Sequence, residues 1–224
     1  MMACGQTPGA PSGDRHLFTF DFAMSSEGWS AGFCDYPAGW EQQMDLVADY
    51  RRLPSPLDQM RGALFIAGSN SSDDLFMFWK RRVSGLQPGR AYAVDFTVLL
   101  ATNVPKGVGG IGGSPDGSVF LKVGAASVEP AAMSVQSAGR LEYRLNIDKG
   151  NQSQSGKDAV VIGTVGNLSG TPTWELKELQ GGSDRLAITA SADGSAWLLV
   201  GTDSGFEGRT SLYYARVTAQ FTPR

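Results

Sequence analysis

The sequence contains a single histidine, two cysteines and no long apolar run, and each shortage removes a class of function. Catalysis through a Ser-His-Asp or Cys-His pair needs an imidazole held against the nucleophile. The sole candidate is His16, at the edge of the first apolar segment beside a Gly/Pro/Ser-rich tail. Zinc needs clustered His and Cys ligands, which one histidine and the distant Cys4 and Cys34 do not supply. A membrane-spanning helix needs about 20 consecutive predominantly apolar residues, and no segment offers them. Basic residues are thinly spread: 19 Lys+Arg stand against 22 Asp+Glu, for a net charge of -3, with short clusters only at Arg51-Arg52 and Lys80-Arg81-Arg82. Nucleic acid requires a concentrated basic face, so no nucleic-acid partner is expected.

Glycine is abundant. Its 29 residues, with 11 prolines, fall between short apolar runs, the punctuation of tight turns joining strands. Leu17-Phe18-Thr19-Phe20-Asp21-Phe22 alternates with period two and predicts a half-buried first strand with Phe18, Phe20 and Phe22 on one face. Met44, Leu46, Ala48 and Tyr50 alternate in the same way, and Ala63 to Ala67 predicts a short apolar strand. In Leu75 to Val83 both faces are apolar, which predicts a central strand covered on both sides. Tyr92, Val94, Phe96 and Val98 form the inward face of a long strand. Further strands are predicted at 119–124, 141–147, 159–165, 174–179, 186–190, 196–200 and 212–221, with Trp174 and Trp197 read as core. The stretch Asp148 to Asp158 reads as an exposed loop. Together these predict an all-β chain: a monomeric two-sheet antiparallel jelly-roll sandwich of about a dozen strands, one domain over 15–224 behind a flexible tether at 1–14.

Several segments carry candidate chemistry. Gly107-Val108-Gly109-Gly110-Ile111-Gly112 fits G-x-G-x-x-G, but Ser114-Pro115-Asp116-Gly117 turns into another strand where a nucleotide site needs a helix. The glycines therefore imply a backbone passing close to a neighbouring strand or a ligand. Asn70-Ser71-Ser72-Asp73-Asp74 gathers oxygens that suit Ca²⁺, with Asp73 and Asp74 as ligands, although Asx-rich turns also cap strands. Asp203 to Thr210 reads as a long hairpin loop in which Glu207 and Arg209 bind a polar ligand, pair with each other or cap the loop. Trp29, Tyr36 and Trp40 lie in turn-rich sequence where a ring can stack on a sugar, though each aromatic taken singly also suits a core. Paired carboxylates for glycoside hydrolysis have many candidates: Glu27, Asp35, Glu41, Asp73, Asp74, Glu129, Asp203 and Glu207.

Three resemblances follow from the residues of this chain. Phe20-Asp21-Phe22 with Glu27-Gly28-Trp29, and Gly85-Leu86-Gln87-Pro88-Gly89 followed by Tyr92-Ala93-Val94-Asp95-Phe96, resemble the galactose-binding-like jelly rolls of many carbohydrate-binding modules. Gly32-Phe33-Cys34-Asp35-Tyr36-Pro37, with Asn70 through Phe78, Gly109 to Pro115 and Gly201 to Thr210, is similar to a set of exported bacterial proteins. That second likeness implies fold and export more than activity. Met1-Met2-Ala3-Cys4-Gly5 and the polar stretch to Gly13 resemble the end of a bacterial lipoprotein signal, with Cys4 as the acylated residue. Cys34 is then an unpaired buried thiol, the alternative being a Cys4 to Cys34 disulfide.

The function expected is non-catalytic carbohydrate binding in the bacterial cell envelope, periplasmic or extracellular, with membrane contact only through the Cys4 lipid. The binding face expected is Asp35, Tyr36, Trp40, Asn70, Asp73, Asp74, Asp203, Glu207 and Arg209, with Tyr36 and Trp40 stacking. No catalytic residue is assigned and no cofactor beyond Ca²⁺ is expected. A carbohydrate-active enzyme using a carboxylate pair and a structural or protein-interaction module are the alternatives, because sandwiches host all three.

Overall fold

A computed structural model describes residues 15–182 and 184–224. Its strands, in chain order, begin with β1 (His16–Asp21), β2 (Ser30–Cys34), β3 (Tyr36–Pro37), β4 (Val47–Arg52) and β5 (Gly62–Ser69). They continue through β6 (Leu75–Ser84), β7 (Ala91–Thr102), β8 (Val119–Ala126), β9 (Ala132–Ser137) and β10 (Arg140–Leu145). The last five are β11 (Ala159–Thr164), β12 (Glu175–Gly181), β13 (Ala187–Thr189), β14 (Ser195–Ser204) and β15 (Arg209–Pro223). A seven-stranded sheet runs β12-β7-β15-β5-β4, with β1 also on β15 and β13 on β7; a five-stranded sheet runs β11-β8-β14-β6-β2. Every pairing in both sheets is antiparallel. The chain is an all-β sandwich.

Alternation places the core between these sheets. Tyr92, Val94, Phe96, Val98 and Leu100 on β7 are buried, and they face Leu75, Met77 and Trp79 of β6 and Leu198 and Val200 of β14 in one apolar cluster. Removing each such side chain from water stabilises the fold by roughly 1.5–3 kcal/mol. The other face of the five-stranded sheet is also covered. There Phe76, Phe78, Leu199, Ala159 and Cys34 form a second apolar cluster, packed under Tyr143, Leu145 and Ile147. Period two in β6 therefore serves two cores, as expected of a strand apolar on both faces.

The cover comes from a third, three-stranded sheet, β3-β10-β9, and the loop that follows β10. Three of the observed strands, β2, β3 and β9, were not expected. β3 is two residues long, and the six residues of β9 are largely exposed, so neither carries a readable apolar pattern. The segment after β14 crosses to the other sheet, since β14 and β15 belong to different sheets. The hairpin expected there is replaced by an inter-sheet crossover.

The glycine-rich loop at 107–113 packs against that crossover. A Cβ on Gly112 (φ +70°) would lie 2.0 Å from the Gly205 carbonyl oxygen, and one on Gly110 would lie 2.4 Å from the Phe206 ring. Close backbone approach, closed by Glu207 N–H donating to Ile111 O at 2.9 Å, accounts for Gly110 and Gly112, while Gly107 takes a left-handed turn at φ +75°.

Candidate functional site

The outward face of the five-stranded sheet holds a buried ionic network where β6, β8 and β14 end. Lys122 sits between the inward-facing Leu121 and Val123 of β8, and Asp203 follows inward-facing Thr202 on β14, so both project away from the inter-sheet core. Both side chains are fully buried and 2.8 Å apart. Lys122 Nζ also donates to the carbonyl oxygens of Lys149 (2.7 Å) and Gln154 (3.0 Å), which satisfies its three protons. Burial pushes the Lys122 ammonium below its usual range, and Asp203 opposes that shift.

Lys149 arrives from the loop after β10. Its Nζ lies 2.7 Å from Asp203 Oδ2 and 2.9 Å from Asp35 Oδ2, and 5.0 Å from the Phe76 ring centroid. Burial acts against this ammonium too, but Asp203 and Asp35 outweigh it and hold its pKa above the ordinary lysine value. The loop expected to be exposed thus drives a cation into the interior. It is braced by Asp148, whose carboxylate accepts from Gly150 N–H and Lys157 N–H at 3.0 Å each, and by Gln152 N–H donating to Asp203 Oδ2 at 3.0 Å.

Asp35 occupies the one-residue joint between β2 and β3 in a left-handed conformation, φ +64°. Arg144 on β10 reaches Asp35 Oδ1 at 3.3 Å, Asp74 Oδ2 at 2.9 Å and Glu142 Oε2 at 2.7 Å. Burial raises the Asp35 pKa, against the opposing pull of Lys149. Burial, followed by the charges of Asp35 and Asp203 and opposed by Lys149, raises Asp74 to about 6. Among the described residues, Asp74 Oδ1 and Asp203 Oδ1 of this network are buried without a hydrogen-bond partner.

Asp35, Asp74, Arg144, Leu145, Ile147 and Lys149, with residues 148, 150 and 151, line an open cleft of about 380 Å³. Oxygens of Asp35, Asp74 and Asp203 lie within 4.8 Å of one another. Ca²⁺ takes six to eight oxygen ligands, whereas here the Lys149 and Lys122 ammoniums already occupy the shared oxygens. The donor set suits built-in lysines better than a metal. The Asp73-Asp74 pair expected to hold calcium does not converge: the chain bends at Asp73, and only Asp74 joins the trio. Asp73 is exposed, at φ +65°, and outside the trio.

Of the expected face, Asp35, Asp74 and Asp203 meet here. Asn70 is a buried brace nearby. Its Nδ2 donates to Ser204 O (2.7 Å) and Phe206 O (3.1 Å), and its Oδ1 accepts from Ser72 N–H (3.2 Å) and Leu75 N–H (3.3 Å). Tyr36, expected to stack on a ligand, is 7% exposed with its ring against Tyr143, and Trp40 packs against the inter-sheet core. Arg209 pairs with Asp45 rather than with Glu207, which is exposed. The cluster members not foreseen are Lys122, Lys149, Arg144 and Glu142. A lone lysine inside the apolar run Leu121-Lys122-Val123 was the one available signal.

No family model matches the chain, and no curated protein matches it in sequence. Among solved structures it is similar to TmCBM27, a carbohydrate-binding module described for specific mannan recognition, at 11% identity over 92% of this chain and 98% of that one, TM-score 0.42. It is similar to TmCBM61, solved in complex with beta-1,4-galactotriose, at 9% identity over 85% and 87% of the two chains, TM-score 0.35. It is also similar to the enzymatically active domain of bacteriophage CBA120 tailspike protein 4, at 9% identity and TM-score 0.38. There it covers 85% of its own length but spans 19% of that chain. Identities this low leave the function to be argued from the side chains themselves.

Proposed function

We propose that this protein binds carbohydrate without cleaving it, and that the Asp35–Asp74–Lys149 cleft receives the sugar. The observation that carries the reading is Asp74 Oδ1. It is a buried acceptor with no partner in the wall of the cleft, while its sister oxygen is fixed at 2.9 Å by Arg144. An unpartnered buried carboxylate oxygen is costly, so a small shift of the Asp74 side chain that opens Oδ1 to the cleft lets a ligand hydroxyl supply the missing donor. Leu145 and Ile147 offer apolar surface for C–H groups, and Arg144 offers donors.

The test is a glycan-array screen of the full chain and of Asp74→Ala and Asn151→Ala variants, with and without Ca²⁺. Binding by the parent that Asp74→Ala loses supports the cleft. Silence of the folded parent across the array defeats the reading.

One observation favours a second reading. A carboxyl that keeps its proton to about pH 6 beside another carboxylate is the minimum equipment for acid-assisted glycoside hydrolysis. Asp35 is 3% exposed and paired with Lys149 and Arg144, which handicaps it as a base or nucleophile. Release of new reducing ends from any bound glycan distinguishes the two.

The proposal includes export to a bacterial envelope and a lipid on Cys4, a residue outside those described. Its support is the sequence Met1 to Gly13. Incorporation of a labelled fatty acid that Cys4→Ser abolishes is the corresponding test.

A further inference from the structure

We propose a second ligand site at the other end of the same sheet face, a pocket on Trp197 that takes one pyranose ring. The inference rests on the reading that the protein binds carbohydrate. Ala196 and Leu198 fill the inter-sheet core, so Trp197 between them projects outward. The sequence pattern had assigned this tryptophan to the core. Trp29 and Trp79 are 5% exposed in the core, and Trp40 and Trp174 pack against apolar clusters. Among the described residues, Trp197 is half-buried, joins none of the three clusters and pairs with no other aromatic ring.

An indole left partly exposed forfeits burial that a core position would supply. Here it lines a pocket of about 420 Å³ with Arg82, Ser127, Ser191, Asp193 and Ser195. The polar groups are held in place before any ligand arrives. Asp193 Oδ1 accepts from the hydroxyls of Ser191 and Ser195 at 2.7 Å each and from Ser195 N–H at 3.1 Å, while Arg82 Nη2 binds Oδ2. Gly194 makes the turn possible: at φ +72°, a Cβ there would lie 2.3 Å from Leu86 O. Lys80 Nζ stands 5.8 Å from the indole centroid, tethered at 2.7 Å to both Glu129 Oε1 and Pro130 O.

A pyranose ring has an apolar C–H face and a rim of hydroxyls that donate and accept. The Trp197 indole, which lines the pocket, meets the first requirement on the side away from Lys80. The fixed carboxylate and guanidinium meet the second, because each retains hydrogen-bonding capacity beyond the contacts named. Trp197 and Asp203 are six residues apart on the outward face of β14, which is about 20 Å. Between them Leu199 lies buried under the second apolar cluster, so the two sites are separate.

The test is an NMR titration of the ¹⁵N-labelled full chain, with the Trp197 indole N–H assigned by Trp197→Phe. The probes are methyl glycosides of glucose, galactose and mannose and short oligosaccharides of each. We expect a saturable shift of the Trp197 indole signal for at least one probe. It should persist in Asp74→Ala and weaken about tenfold in Arg82→Ala, the loss expected of one charge-assisted hydrogen bond. A silent Trp197 with shifts at the Gly150 and Asn151 amides overturns this site and leaves the cleft standing. Shifts at Trp197 alone support this site and defeat the cleft, and a spectrum silent at both overturns both.

Discussion

Lys122 Nζ lies 2.8 Å from Asp203 Oδ2, with both side chains fully buried on neighbouring strands. Ions in this position attract strongly only because neither is hydrated, so removing one partner strands the other. Asp203→Ala should destabilise the protein by about 3–5 kcal/mol, read as a shift in the urea-unfolding midpoint. Adding Lys122→Met should recover part of that loss. An Asp203→Ala midpoint equal to the parent's would mean that water, not Asp203, solvates the lysines.

Asp74 makes stability depend on pH. Its folded pKa is raised from 3.8 to about 6, so between those values the folded state binds more protons than the unfolded state. The stabilisation is fully present below the unfolded value and is lost as pH rises through the folded one. Asp35 is shifted in the same direction. Unfolding free energy should therefore fall across this window more steeply in the parent than in Asp74→Asn, whose side chain does not titrate. Parallel profiles for the two proteins would contradict the assignment.

Cys34 should be chemically inert while the protein is folded. Burial, assisted by the neighbouring Asp35 charge, pushes its thiol well above the ordinary range, and the side chain is 0% exposed. Thiolate is the reactive species. In a Cys4→Ser background, labelling with a thiol reagent should be negligible under native conditions and complete in denaturant. Rapid native labelling would show that the cover formed by β10 and the 146–158 loop opens.

Asn70 closes the turn before β6 onto the crossover after β14 through both ends of one amide. Asn70→Ala should cost roughly 3 kcal/mol, since buried carbonyls and N–H groups lose their partners. Asn70→Asp should be worse despite its matching shape. One of its oxygens would face the carbonyl oxygens of Ser204 and Phe206, where Nδ2 now donates. Thermal unfolding of the two variants gives the order, and an Asp variant more stable than the Ala variant would refute it.

Much of the fold was legible because alternation is local. A strand shows its inward face in its own residues, and Phe18 to Phe22, Leu75 to Val83 and Tyr92 to Val98 behaved as read. Asp35, Asp74 and Asp203 were visible as candidates because acidic residues in turns and strand ends stand out. Lys149 lies in a loop that has no alternation to read, and Trp197 was misjudged by its strand pattern. Period two assigns a residue to one of two faces, but whether a face is wet depends on what lies across it.

By itself, then, the sequence determined that the chain is all-β and that its strands form an antiparallel sandwich. Those conclusions rest on residue types and on spacings of a few positions. Only the tertiary structure decided that the outward side of β6, β8 and β14 is dry at Lys122 and partly exposed at Trp197. It alone brought Lys149 between Asp35 and Asp203, which are far from it along the chain. The physical reason is that burial and charge pairing depend on which segments cover one another in space, and strand periodicity carries no record of that.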